Sequence, residues 1–146
     1  MTRPLWTCPK CGRQFANVNQ EHSCGDYSVE AFLQGKGANA LAMYRHFVAL
    51  VEVCGPVLFA PAKTRVGFQV RMIFAAVNKL TDKQLDAHVV LTRRLDSPRF
   101  RRIEALTPTC YVHHFRVHTP DELDDEVAAW LREAYHVGKQ EHLNKA

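Results

Sequence analysis

Four side chains suited to binding a metal occur close together near the start of this 146-residue chain. Their spacing is Cys8-x2-Cys11-x10-His22-x-Cys24. Zinc takes four thiolate or imidazole ligands at tetrahedral corners, and a Cys-x2-Cys turn supplies two of them from one tight loop. His22 and Cys24 are two positions apart, so on an extended segment both side chains point to the same side. The spacing therefore predicts one zinc ion held by these four residues.

The predicted zinc site is structural. Four protein ligands close the coordination sphere, whereas a catalytic zinc keeps one position open. We expect a zinc knuckle over residues 1–26 that braces the rest of the chain or extends its binding surface. The only basic side chains in this segment are Arg3, Lys10 and Arg13. They are too few for a main nucleic-acid reader, so we look for a ligand site elsewhere.

Composition places the chain among ordinary globular proteins, with 47% hydrophobic and 23% charged residues. No apolar run is long enough to span a membrane, and the first residues lack the apolar core of a signal peptide. The five cysteines are an odd number, and zinc explains the first three better than disulfides do. We therefore expect a cytoplasmic protein with no membrane partner.

Residues 57–117 show the alternation of apolar and polar side chains that is typical of half-buried strands. We predict strands over residues 57–59, 65–77, 87–95, 101–106 and 110–118. A short helical turn is expected near Thr81 and Gln84. His113 is expected to point into the core.

Helical patterns flank the predicted strands. We predict helices over residues 29–33 and 39–53, and a final helix that begins at Thr119, with Pro120 and Glu122 completing a capping box. The buried stripe of the final helix is predicted to be Leu123, Val127, Trp130, Leu131, Ala134 and Tyr135. This order indicates an α+β domain over residues 27–146, with helices packed on one face of an antiparallel sheet and a C-terminal helix at its end.

Basic charge is concentrated in the predicted strands. Residues 63–118 carry eleven basic and four acidic side chains, a net charge of +7, whereas residues 119–146 carry a net charge of −4. If the helices cover the sheet face that carries Phe68, Val89 and Phe115, the other face is rich in arginine and histidine. The candidate anion-binding residues are Lys63, Arg65, Arg71, His88, Arg94, His114 and Arg116.

Anion binding is the function that this set predicts, because arginine suits bidentate contacts to phosphate or carboxylate. Nucleic acid or another phosphate-bearing ligand is the expected partner, since several basic groups on one face make sequence-independent phosphate contacts. One alternative is a phosphoester-processing enzyme in which His88 and His114 act as general acid and base. Another is a non-catalytic interaction module whose acidic final helix pairs with the basic face of a second copy.

No phosphate loop, nucleophile elbow or paired-carboxylate motif is present. The sequence therefore favours a binding protein over an enzyme and identifies no catalytic residue. The oligomeric state stays open.

Five short strings resemble a known family. They are Trp6-x-Cys8-Pro9-Lys10-Cys11-Gly12, Asn19-Gln20-x-His22-Ser23-Cys24, Lys63-Thr64-Arg65, Phe74-Ala75-Ala76-Val77 and Val112-His113-His114-Phe115. Together they resemble the bacterial domain-of-unknown-function family 5655, in its form with an N-terminal zinc-ribbon-like head. The resemblance spans nearly the whole chain and implies such a head joined to a compact α+β domain. It implies no activity and no catalytic residues.

Elemental analysis of the purified protein tests the zinc prediction. We expect about one zinc per chain, because four protein ligands complete one tetrahedral site. Cys24→Ser should lower the zinc content, whereas Cys54→Ser, outside the knuckle, should not. A fully folded native protein that contains no zinc would contradict the prediction.

Overall fold

The structure is a computed structural model that describes residues 5–7, 9, 14–15 and 28–140. The predicted zinc ligands Cys8, Cys11, His22 and Cys24 lie outside the described residues, so the zinc knuckle stays a prediction. Two short strands of this segment are described, Trp6–Thr7 (β1) and Gln14–Phe15 (β2), and they pair antiparallel.

The predicted α+β fold class is confirmed. The antiparallel sheet contains six of the described strands, in the spatial order β3-β4-β5-β6-β8-β7. These strands are Leu58–Pro61 (β3), Val66–Gln69 (β4), Ile73–Leu80 (β5), Leu85–Leu91 (β6), Phe100–Thr107 (β7) and Cys110–Val117 (β8).

The prediction of one strand over residues 65–77 is wrong. The chain turns at residues 70–72, where the N–H of Val70 donates to the carbonyl of Met72 at 3.1 Å. The N–H groups of Arg71 and Met72 both donate to the carbonyl of Gly138 at 3.0 Å. The apolar alternation continues through this turn, so the period of two could not reveal that the strand breaks there. The hydrogen bonds to Gly138, at the end of the final helix, stabilise the break.

The helical turn predicted near Thr81 and Gln84 is also wrong, because these residues close the hairpin between β5 and β6. Their backbones exchange two hydrogen bonds, of 2.9 and 3.3 Å. The Thr81 hydroxyl accepts from the N–H groups of Lys83 and Gln84, each at 3.2 Å. The hydroxyl thus satisfies backbone donors as it would at a helix start, but it does so within a β-turn.

Three α-helices are described: Val29–Leu33 (α1), Ala38–Cys54 (α2) and Asp125–Gly138 (α3). The capping box at Thr119 begins a short 3-10 helix, Pro120–Glu122, and not the final helix itself. The carboxylate of Asp124 then caps α3 by accepting from the N–H of Val127 at 3.2 Å. The described helices include none that is long and apolar enough to cross a membrane.

The hydrophobic core lies between the sheet and helices α2 and α3. All six residues of the stripe predicted for the final helix are buried. Trp130 packs on the sheet, with ring centroids 4.4 Å from Phe100 and 5.2 Å from Phe115. His113 is fully buried, as predicted, and its Nε2 accepts from the N–H of Leu95 at 2.9 Å. The helices therefore cover one sheet face, and the polar strand positions point the other way.

The hairpin between β5 and β6 caps the start of α2. Asp82 accepts through Oδ1 from the N–H groups of Asn39, at 3.0 Å, and Ala40, at 3.1 Å. The Asn39 side-chain amide donates in return to the carbonyls of Asp82 and His118. Because the N-cap residue Gly37 has no side chain, a carboxylate distant in sequence supplies the cap.

Asp82→Ala tests this tertiary cap. We expect the free energy of unfolding to fall by about 1–2 kcal/mol, the usual cost of losing an N-cap side chain. Asp96→Ala is the control, because its exposed pair with Arg94 at 3.5 Å is worth little. Urea unfolding of both variants measures the difference, and equal losses would contradict the assignment.

Candidate functional site

Polar side chains line much of the sheet face opposite the main core, while Val90 and Val112 on that face are buried with Val137 of α3. Ala87 and Val89 of β6 are buried in the core, so Asp86 and His88 point to the opposite side. The antiparallel register places Arg116 and His114 of β8 directly beside them. We call this part of the sheet, across β5, β6, β8 and β7, the open face.

The open face is cupped. A concavity of ≈ 500 Å³ lies on it and is closed at the bottom by the sheet. Six side chains with ionisable groups line it: Lys79, Asp86, Arg101, Arg102, His114 and Arg116. Four of these side chains, those of Lys79, Arg101, Arg102 and Arg116, are cations, and that of Asp86 is a carboxylate.

A β-bulge in β7 brings two consecutive arginines to this concavity. Phe100 pairs with Phe115 and Arg102 with His114, so Arg101 is an extra residue between two consecutive partners. In a regular strand Arg101 and Arg102 would point to opposite faces. At the bulge both residues line the concavity, as bulges often re-aim side chains beside functional sites.

A bulge in β5 does the same on the opposite side. Val77 pairs with Ala87 and Lys79 with Asp86, which leaves Asn78 as the extra residue. Asn78 and Lys79, although adjacent in sequence, both line the concavity. The concavity is thus flanked by bulges in the two strands that border it.

Asp86 and Arg116 form a two-pronged ion pair at the bottom of the concavity. Arg116 donates through Nε to Oδ1 at 2.5 Å and through Nη2 to Oδ2 at 3.1 Å. Gln84 donates to the same Oδ2 at 3.1 Å. Burial alone would raise the pKa of Asp86, but these hydrogen bonds and the charge of Arg116 outweigh it and hold the pKa below its usual range. Asp86 is therefore ionised, and it offsets the charge of Arg116.

Glu104 holds His114 and Arg102 together. Its Oε1 lies 2.6 Å from Nε2 of His114 and 3.2 Å from Nη2 of Arg102. The hydrogen bond from His114 keeps the pKa of Glu104 below its usual range. The carboxylate thus orients both side chains, and it offsets part of the charge of Arg102.

His88 lies beside His114 but does not line the concavity. It is only 9% exposed, and its ring centroid is 5.4 Å from that of His114. Burial, followed by the charges of His114 and Arg65, lowers the pKa of His88 to about 4. Nδ1 lies 2.8 Å from the Asn78 amide nitrogen, which donates to it, so the neutral ring carries its proton on Nε2.

The structure separates the predicted anion-binding residues into two groups. His114 and Arg116 line the concavity, and His88 packs beside His114. Lys63 and Arg65 are exposed at the turn between β3 and β4, and Arg65 is near enough to His88 for its charge to lower the pKa of that ring.

Two predicted arginines lie in other turns. Arg71 is at the turn between β4 and β5, and its Nε donates to Oε1 of Gln140 at 2.9 Å. Arg94 follows β6 and lies 3.5 Å from Asp96. Neither is among the described residues that line the concavity.

Six polar residues of the site were missed from the sequence: Asn78, Lys79, Asp86, Arg101, Arg102 and Glu104. Asp86 stands two residues before His88, so strand alternation alone could have placed it on the open face. Arg101 and Lys79 could not have been found in this way, because a bulge breaks the alternation on which such a prediction depends.

Comparison with known proteins gives a family and nothing more specific. The sequence model of the family described as Domain of unknown function (DUF5655) matches residues 29–138. No curated protein and no solved structure matches the chain. Among the described residues, no group of three or more His, Cys, Asp or Glu side chains is placed to hold a metal ion.

The state of His88 is measurable by NMR. In a titration of the imidazole nitrogens we expect a pKa of about 4 for His88, with the neutral proton on Nε2. In the unfolded chain the pKa returns towards 6.5, so the unfolded state takes up the proton first as the pH falls. His88 therefore stabilises the fold fully above pH 6.5 and progressively less between pH 6.5 and pH 4. A midpoint above 6, or a proton on Nδ1, would contradict the assignment.

Proposed function

This chain belongs to the DUF5655 family, whose function is unknown, and we propose that its open face binds a small molecule that carries a phosphate group. The observation that carries the proposal is the bulge that directs Arg101 and Arg102 to one concavity. Adjacent arginines offer planar donor groups that match the oxygens of a phosphate. Charge-assisted hydrogen bonds of this kind are stronger than neutral ones.

The charge balance of the concavity supports an anionic ligand. Asp86 is offset by Arg116, and Glu104 is shared by His114 and Arg102. Arg101 and Lys79 form no ion pair or hydrogen bond with a described residue. Positive charge therefore remains in excess where a ligand would enter.

The shape supports a small ligand over nucleic acid. The volume of ≈ 500 Å³ lies within the range of small-molecule sites, which is roughly 300–1,000 Å³. A nucleic-acid backbone needs a continuous basic track, but here the carboxylates of Asp86 and Glu104 interrupt the cations. Arg71 and Arg94 lie in separate turns and add nothing to such a track.

The two alternative functions receive less support. A phosphoester-cleaving histidine pair needs both rings at one ligand, whereas His88 is buried and does not line the concavity. Pairing of α3 with a second copy needs free acidic side chains. Three of these side chains are already paired within the chain: Asp124 and Glu126 bind Arg99, at 2.9 and 3.1 Å, and Glu133 binds Arg93 at 2.8 Å. Among the described residues, only Asp121 and Asp125 of this segment are left exposed without an ion pair.

A structural zinc in the N-terminal knuckle remains part of the proposal. The spacing of Cys8, Cys11, His22 and Cys24 supports it, and the paired strands β1 and β2 flank the Cys8–Cys11 segment in the sequence. The side-chain amide of Gln69 donates to the carbonyl of Gln14, which joins β2 to β4 of the domain. Cytoplasmic location also stays a prediction, with which the free thiols of Cys54 and Cys110 agree.

Removing the two arginines of the bulge tests the proposed function. We expect Arg101→Ala/Arg102→Ala to weaken the binding of inorganic phosphate roughly tenfold or more, because charge-assisted hydrogen bonds are lost. Amide chemical shifts recorded during a phosphate titration measure the affinity. In the unaltered protein the largest shifts should fall on β7 and β8.

The matched control is Arg93→Ala/Arg94→Ala, which removes the same charge from two consecutive arginines after β6. It should leave phosphate affinity nearly unchanged. If both double variants weaken binding equally, or if phosphate does not shift the β7 and β8 signals, the proposed site is wrong. A mobility shift of a short single-stranded oligonucleotide that both double variants reduce alike would favour nucleic acid.

A further inference from the structure

The concavity holds acceptor groups as well as cations, and the two arginines of the β7 bulge lie on a different side from the acceptors. Arg101 and Arg102 belong to β7, whereas Asn78 belongs to β5. Three strand spacings separate β5 from β7, which is roughly 14 Å between their backbones. A ligand that meets both sides is therefore longer than a phosphate ion and carries its anionic group at one end.

The acceptor side is built from Asp86 and Asn78. A carboxylate has about four acceptor positions, and Asp86 uses three of them for Arg116 and Gln84. Its side chain is 23% exposed, so one acceptor position is available to a ligand. The Asn78 amide nitrogen is committed to His88, while its oxygen accepts no hydrogen bond from a described residue. Both residues therefore offer acceptors to hydroxyl groups.

The described walls of the concavity offer little open aromatic surface. Among the described lining residues, the apolar side chains are those of Ala87 and Phe115, each 1% exposed. The other described ring in the lining is the His114 imidazole, whose side chain is 22% exposed. A nucleobase gains most of its affinity by stacking on an open aromatic surface. The lining suits a ligand whose body consists of hydroxyl groups.

We propose that the ligand is a sugar phosphate. Its phosphate lies on Arg101 and Arg102, and its hydroxyl groups donate to Asp86 and to the Asn78 amide oxygen. The inference rests on the proposed function, since it takes the two arginines to be the phosphate site. Lys79, the register partner of Asp86, keeps the acceptor side from becoming a net negative surface.

Calorimetry with four probes tests the ligand class: inorganic phosphate, ribose, ribose 5-phosphate and adenosine monophosphate. Ribose 5-phosphate should bind roughly tenfold more tightly than inorganic phosphate, the gain expected from one or two added hydrogen bonds. Ribose alone should show no binding. Adenosine monophosphate should bind no more tightly than ribose 5-phosphate, because the base finds no stacking surface.

Two variants connect the sugar preference to its residues. Asn78→Ala and Asp86→Asn should each reduce the advantage of ribose 5-phosphate over inorganic phosphate. Asp86→Asn also removes the carboxylate that offsets Arg116, so the affinity for inorganic phosphate should rise in that variant. Gln84→Ala is the control, because Gln84 contacts Asp86 but is not among the described lining residues. Circular dichroism and thermal unfolding establish that each variant is folded.

The outcomes distinguish this inference from the proposed function. If inorganic phosphate and ribose 5-phosphate bind with equal affinity, the proposal of a sugar ligand is wrong and the proposal of a phosphate site still holds. Adenosine monophosphate binding tenfold or more tightly than ribose 5-phosphate would replace the sugar phosphate with a nucleotide. If Asn78→Ala and Asp86→Asn change the affinities for inorganic phosphate and ribose 5-phosphate by the same factor, these residues support the site without contacting the sugar, and the sugar proposal is wrong. If no phosphorylated probe binds, both proposals fail.

Discussion

Burial of one sheet face beneath α2 and α3 is the constraint on which the rest of this structure depends. Trp130 of α3 is buried and packs on Phe100 and Phe115 of the sheet. Because side chains alternate along a strand, burying one set of positions commits the other set to the opposite face. The collection of arginine, histidine and carboxylate side chains on the open face is thus a consequence of how the core packs.

The bulges in β5 and β7 turn that polar face into a site. Each inserts one residue, Asn78 or Arg101, and thereby brings two consecutive side chains to the same concavity. A bulge also increases local strand twist, which agrees with a cupped surface. The core is kept intact on the other side, because Phe100 and Val77 remain in contact with it.

Ion pairing decides which charges of the open face are available. Arg116 and His114 have carboxylate partners on neighbouring strands, Asp86 and Glu104, and these pairs hold the bottom of the concavity in place. His88 is one of the predicted anion-binding residues and lies beside His114. It is neutral because burial lowers its pKa. Positive charge therefore remains mainly at Arg101 and Lys79, two residues that do not stand out in the sequence.

The sequence by itself determined the helices, most of the strands, the buried stripe of α3 and the face on which Phe68, Val89 and Phe115 lie. These follow from local periodicity and capping, which need no knowledge of neighbours. Tertiary structure alone decided the break at residues 70–72, the hairpin at Thr81 and the extra residues Asn78 and Arg101. Each of these features depends on a partner strand or on the end of α3. The alternation of apolar and polar residues along the sequence is the same whether or not the chain turns or bulges. For that reason the polar face could be located from the sequence, whereas the cross-strand register determines which residues of that face lie in contact.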